Sequence, residues 1–281
     1  DPHGEAWRYS PVNDILSRLA VATPAQPSQI TRAEIDRLAG NHGPNRLVFV
    51  NGAYEPALSD LEAHADGSWI GRLADLPPGT VSTAVPVGGG FTDGFHALNR
   101  AAGGDPAVVV IEADVRHDTD GTPSAPIHIV HVAVPGPEQQ VSHPRTVIEV
   151  GARSHLRLIE TFTGLAGPTL TNACTTISPG AGASLHHQRV QTEAPGATHI
   201  GHTQVSQAAG SRYETSSIVH GSDIARHAND VTLHEPDAHV ALTGLYRPAG
   251  HQRHDTAVCI DHAASHGTST QEFKGVVDDH A

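Results

Sequence analysis

The apolar positions of this chain change rhythm near residue 105. Before it they recur at helical spacing. In SPVNDILSRL (10–19), Ile15, Leu16 and Leu19 follow Pro11 at helical spacing. ITRAEIDRLAG (30–40) carries a capping box, in which Thr31 accepts from the Glu34 amide while Glu34 reaches back, and Gly40 ends the helix. DGFHALNRAAGG (93–104) predicts a short helix with Asp93 as cap and Gly103 as stop. Between these, RLVFVNGAYEP (46–56) reads as strand, Asn-Gly turn and strand.

From about Ala107 the pattern becomes that of strands. AVVVIEADV (107–115), PIHIVHVAV (126–134) and RTVIEVGARSHLRLIETFTG (145–164) are apolar runs or alternations, each closed by a turn. A weak repeat runs through this part: GARSHLRLIE starts at 151, GAGASLHHQR at 180, QAAGSRYETS at 207 and EPDAHVALTG at 235, which is 29, 27 and 28 residues apart. Each unit places small residues in a turn and then launches a strand. A period of this size in a strand-rich chain predicts a β-solenoid. A sandwich with Gly/Ala-rich turns imitates the same spacing and stays open as the alternative. The predicted organisation is a helical or mixed region over 1–105 and a solenoid core over 106–281.

Composition narrows the function classes. The chain has 281 residues, 38% hydrophobic and 4% aromatic, with 28 Gly and 20 Pro. Its 17 basic against 30 acidic residues give a net charge of −13, which repels phosphate backbones and argues against nucleic-acid binding. No apolar stretch reaches the ~20 residues of a membrane span, and DPHGEAW has no signal-peptide layout. Two cysteines make no disulfide framework, so a cytoplasmic location is expected. Methionine is absent even at position 1, which points to a missing start or to residues dropped from the sequence.

Candidate chemistry gathers in HQRHDTAVCIDHAASHGTSTQEFKGVVDDHA (251–281), with His251, His254, His262, His266, His280 and Cys259. Cys259, His254 and His262 are the candidate metal ligands. Metal sites need ligands converging on one point. If 251–262 is a strand, His254, Thr256, Val258, Ile260 and His262 share one face, while His251, Arg253, Asp255, Cys259 and Asp261 share the other. His254 and His262 would then stand on the order of 27 Å apart at ~3.3 Å per residue. That geometry argues against a local site and leaves these histidines solvated or on polar ladder positions. His186, His187, His199, His202, His220, His227 and His234 are read in the same way. VGGG (87–90) lacks the Lys-Ser/Thr of a phosphate loop and reads as a turn, no Gly-x-Ser-x-Gly elbow occurs, and Cys174 in TNACTT reads as a buried inert thiol. No catalytic residue is predicted. Asp278 and Asp279 read as surface charge.

Three segments together resemble the SufD family of the SUF iron–sulfur cluster assembly machinery. They are GEAWRYSPV (4–12), with Ser10 where the family signature has Thr, RLVFVNGAYEPALSD (46–60), and 251–279; DGFHALNRA (93–101) and APIHIVHVA (125–133) are similar as well. The resemblance implies a right-handed parallel β-helix after a helical N-terminal region. It also implies a non-enzymatic scaffold that pairs with a SufB-like paralogue and engages a SufC-like ATPase, where the ATPase activity would reside. A homodimer is the alternative assembly. An iron–sulfur cluster would be held transiently in the complex, with no cofactor on this chain alone, and Cys259 or a nearby histidine is the candidate for a shared cluster ligand. SufD proteins continue past the Lys-Gly…Asp-Asp motif into more β-helix and a helical C-terminal region, so the chain is expected to be a piece of a longer protein. The rivals are a carbonic-anhydrase-like, metal-dependent β-helix enzyme using surface histidines and a carbohydrate-active β-helix. The first would show a hexapeptide period. The second would need more exposed aromatics than two Trp, four Tyr and five Phe supply.

Overall fold

The computed structural model describes residues 7–8, 10–26, 28–62, 66–80, 94–115 and 125–279. Three helices precede or interrupt the first strands: α1 (Val12–Ala20), α2 (Arg32–Ala39) and α3 (Gly94–Ala102). The capping box of α2 is present, with Thr31 accepting from the Glu34 amide at 3.3 Å and Glu34 accepting from the Thr31 amide at 2.8 Å. Asp93 and the VGGG turn lie outside the described residues. Gly103 does follow α3, its amide donating to the Asn99 carbonyl.

The strands of four residues or more, in chain order, are β1 (Arg46–Val50), β2 (Trp69–Arg72), β3 (Ala107–Ile111), β4 (Ile127–Ala133), β5 (Arg145–Val150), β6 (His155–Gly164), β7 (Thr169–Pro179), β8 (Ser184–Thr192), β9 (Thr198–Gln207), β10 (Arg212–His220), β11 (Ile224–Leu233), β12 (His239–Arg247), β13 (Arg253–Asp261) and β14 (Thr268–Gly275). They form two long sheets. The first runs β2-β3-β5-β7-β9-β11-β13 and the second β1-β4-β6-β8-β10-β12-β14. From β3 onward the chain alternates between the two sheets, and neighbours within each are parallel. The result is a β-solenoid of about five turns with a small helical N-terminal region. Strands from both sides of the change in texture at 105 lie in the same two sheets.

The repeat seen in the sequence is the coil itself. In the second sheet His155 stacks on Ser184, Arg212, His239 and Thr268 in turn. The small residues sit where the chain turns between sheets. Arg153, Gly182, Gly210, Asp237 and His266 occupy equivalent places with φ between 61° and 65°. Glycine adopts that left-handed conformation without a Cβ clash, and aspartate tolerates it. The turns are stitched together: the amides of Arg153, Gly182, Gly210 and Asp237 donate to the carbonyls of Ala181, Ala209, Pro236 and Ser265 in the next coil.

Strand alternation divides the residues between interior and exterior. Ile148, Ile177, Val205 and Val231 line the interior from the first sheet and meet Leu156, Leu158, Leu185, Tyr213, Val240 and Leu242 from the second. Outside, α1, Trp7 and Phe95 of α3 pack against Ile200 and Ile224 of the first sheet. Helix α2 covers the second sheet at Val48, Val50, Val130 and Val132. No helix among the described residues is long and apolar enough to cross a membrane.

Candidate functional site: a charged network inside the solenoid

The interior faces do not stay apolar along the strands. On β6, Leu156 and Leu158 are followed on the same face by Glu160 and Phe162; on β8, Leu185 is followed by His187, Arg189 and Gln191. Across the interior, the first sheet offers Thr171 and Thr175 of β7, His199, Gly201 and Thr203 of β9, and His227 and Asn229 of β11. Parallel register stacks Glu160 beside Arg189 and Phe162 beside both His131 and Gln191. Half of each coil's cross-section is therefore hydrocarbon and half is polar.

The charges there are deeply buried: Glu160 is 0% exposed, Glu193 1% and Arg189 2%. Both carboxylates act on the Arg189 guanidinium through their charges. Glu193 accepts from the Thr171 hydroxyl at 2.5 Å and the Gln191 amide at 3.0 Å, and His199 Nδ1 stands 2.8 Å from it. Arg189 Nη2 donates to His199 Nε2 at 2.5 Å, so the imidazole carries its proton on Nδ1, toward Glu193. Glu160 accepts from the Thr175 hydroxyl at 3.0 Å, with His187 Nε2 at 3.4 Å and His131 Nε2 at 3.8 Å. The Phe162 ring is the apolar centre of this group: His131 stacks on it, His199 meets its edge, and the Arg189 guanidinium lies 4.8 Å from its centroid.

Burial sets the ionisation. It pushes His131 down to about 4, against the pull of the Glu160 charge. It pushes His128 down to about 3 and Arg189 down to about 10. Burial alone would raise Glu160, yet the hydrogen bond and charge of His187 hold it at about 2. Glu193 is also lowered, because His199, Thr171 and Gln191 outweigh its burial. The arrangement keeps Glu160 and Glu193 ionised, and His131 and His199 neutral, at neutral pH.

The predicted ligands lie elsewhere and apart. His254 faces inward from β13, its Nε2 donating to the Gly221 carbonyl at 2.8 Å. His262 lies beyond the strand in an exposed turn, against Ser269 Oγ at 3.1 Å. Cys259 points outward beside Asp230, its register neighbour. Burial and the charges of Asp230 and Asp261 raise its thiol. Asp230 in turn stands 3.8 Å from His202, whose Nδ1 meets His96 Nδ1 of α3 at 2.8 Å. Among the described residues no three His, Cys, Asp or Glu side chains are placed to hold a metal ion. His187, His199, His202 and His227 are buried rather than solvated.

The N-terminal signature also gains a structural meaning. The guanidinium of Arg226, on the outer face of β11, lies 4.1 Å from the centroid of the Trp7 ring. Arg226 pairs with Asp255 of β13, and the Ser10 hydroxyl bonds to both. Two more ion pairs, Arg18–Asp223 at 3.1 Å and Arg253–Asp14 at 2.9 Å, complete a clasp between α1 and the late coils.

Residues 132–281, more than half of the chain, match the family model for the SUF system FeS cluster assembly SufBD core domain. The chain belongs to the SufBD family. An iron-sulfur cluster assembly SufBD family protein of Synechocystis is 26% identical over 294 aligned residues, covering 100% of this chain and 63% of the relative. The iron-sulfur cluster assembly protein SufD of Escherichia coli is 25% identical over 280 residues, covering 98% of this chain and 62% of the relative. The chain thus spans a little under two thirds of the length of these curated relatives. Glu160, Arg189, Glu193 and the clasp residues of β11 and β13 all fall within the SufBD core match.

Proposed function

We propose that this chain is the solenoid part of a non-catalytic scaffold subunit in iron–sulfur cluster assembly, which pairs with a SufB-like paralogue and engages a SufC-like ATPase. The match of the SufBD core domain to the solenoid carries this reading. A cluster would be built in the complex and belong to it as cargo. A cytoplasmic site of action follows from the same reading.

The test is co-purification of the full-length protein with a SufB-like subunit and a SufC-like ATPase, expected as a stable assembly at gel filtration. A full-length chain that binds neither would overturn the proposal. The rival metal-dependent enzyme would use surface histidines; within this chain the candidates His254, His262 and Cys259 face three different surroundings. Metal analysis after dialysis separates the two readings: a retained stoichiometric zinc or iron on the isolated protein would favour the enzyme.

A further inference from the structure

Beneath the Arg226–Asp255 pair lies a cavity of about 10 Å³, lined among others by Arg189, Gln191, His199, His227 and His254. That is roughly the space one water needs. Five polar atoms of the lining residues are buried without a hydrogen-bond partner; His199 Nδ1 stands 2.8 Å from the Glu193 carboxylate, which leaves Arg189 Nη1, Gln191 Oε1, His227 Nδ1 and His254 Nδ1. Arg189, Gln191 and His227 are themselves more than nine-tenths buried. Folded proteins rarely leave such atoms unmet.

What each atom offers follows from its other end. His227 Nε2 lies 3.1 Å from the Asn229 Oδ1 acceptor, so Nε2 bears the proton and Nδ1 a lone pair. His254 Nε2 donates to the Gly221 carbonyl, which leaves its Nδ1 a lone pair as well. Gln191 spends its amide on Glu193 and Ser222, and its carbonyl oxygen accepts. Arg189 only donates. One cationic donor and three lone pairs therefore belong to side chains that border one small volume. An anion would face the lone pairs, and a cation would face the guanidinium. A neutral molecule with one acceptor site and two donors answers the set.

We propose that this cavity is a built site for a single ordered water, which accepts from Arg189 Nη1 and donates to two of the three lone pairs. The strand opposite is shaped for it. A Cβ at Gly201 would fall 2.6 Å from both Arg189 Nη2 and His227 Nδ1, so only glycine lets these groups converge. The water joins the Glu193–His199–Arg189 chain to the histidines of β11 and β13, and makes the polar half of the interior continuous across those coils.

A crystal structure of the full-length protein fine enough to place waters should show one peak there, roughly 2.7–3.2 Å from Arg189 Nη1. A bromide soak should leave it unchanged. In solution, oxygen-17 relaxation dispersion should count one long-lived water fewer in His227→Phe, which fills the site and removes a lone pair. A bromide signal in the cavity, a dry cavity, or an unchanged count in folded His227→Phe would overturn the proposal. Should that variant not fold, the two crystallographic results on the unaltered protein decide.

Discussion

The two halves of the solenoid interior solve the same packing problem with opposite materials. In one, Ile148, Ile177, Val205 and Val231 form a ladder against leucines, and every coil repeats nearly the same contact. In the other, Glu160, Arg189, Glu193 and their histidines form bonds particular to each coil. The first half tolerates change because dispersion and hydrophobic burial are non-directional. The second does not, because a buried charge that loses its partner keeps its desolvation cost. The coil spacing is thus held by a generic ladder, while the charged half fixes which coil lies on which.

The largest expected effect comes from breaking the charged half at its single guanidinium. Arg189→Met removes the donor to His199 and the cationic charge that acts on both buried carboxylates, and should cost about 3–5 kcal/mol in urea unfolding. A loss below ~1 kcal/mol would mean that the network is not the ionised one described above.

The second effect is a difference in pH response. His131 is held near 4 in the folded state against 6.5 in the unfolded chain, so the unfolded state binds more protons between those values. Stability from this group is complete above pH 6.5 and is lost as pH falls toward 4, at a slope approaching ~1.4 kcal/mol per pH unit. His128 adds to the same window, and Glu160, held near 2, adds a further loss below pH 4.5. His131→Phe keeps the stack on Phe162 and should flatten the urea midpoint measured from pH 7 to pH 4; an unchanged slope would remove His131 from the account.

The smallest effect is the control on the apolar side. Ile177→Val should cost about 0.5–1.5 kcal/mol and by the same amount at pH 7 and pH 5. A pH-dependent cost would show that the two halves are coupled.

Much of the fold was legible in the sequence because the turn positions announce themselves. Glycine or aspartate holds three of the five equivalent positive-φ turn positions, with Arg153 and His266 at the other two, and the strands between them have to be of equal length to stack. The resemblance rested on segments that prove to hold Trp7 and Ser10 of the clasp, β1 and the turn after it, α3, β4 and the last coils. The charged network was not read, although its signal was present. Glu160 keeps the phase of Leu156 and Leu158, and His187, Arg189 and Gln191 keep that of Leu185. Alternation tells which residues share a face, but polar residues on an apolar face look like a fraying strand until the opposite sheet is known. Gly201 inside a strand, in HIGHT, was a second sign. The candidate ligands Cys259, His254 and His262 drew attention by proximity in sequence, whereas a solenoid brings together residues about one coil apart.

The clasp has a consequence for how the protein is made. Ser10 bonds to Arg226 and Asp255, which lie 216 and 245 residues further along the chain. At roughly 5–20 residues per second, a ribosome needs on the order of ten to fifty seconds to deliver those partners. Through the last part of that interval Trp7 and the apolar face of α1 can meet only Phe95 and Ile200 of their docking surface. Helix α1 therefore completes its docking late, and the closing of the clasp marks the moment when β11 and β13 have found their places.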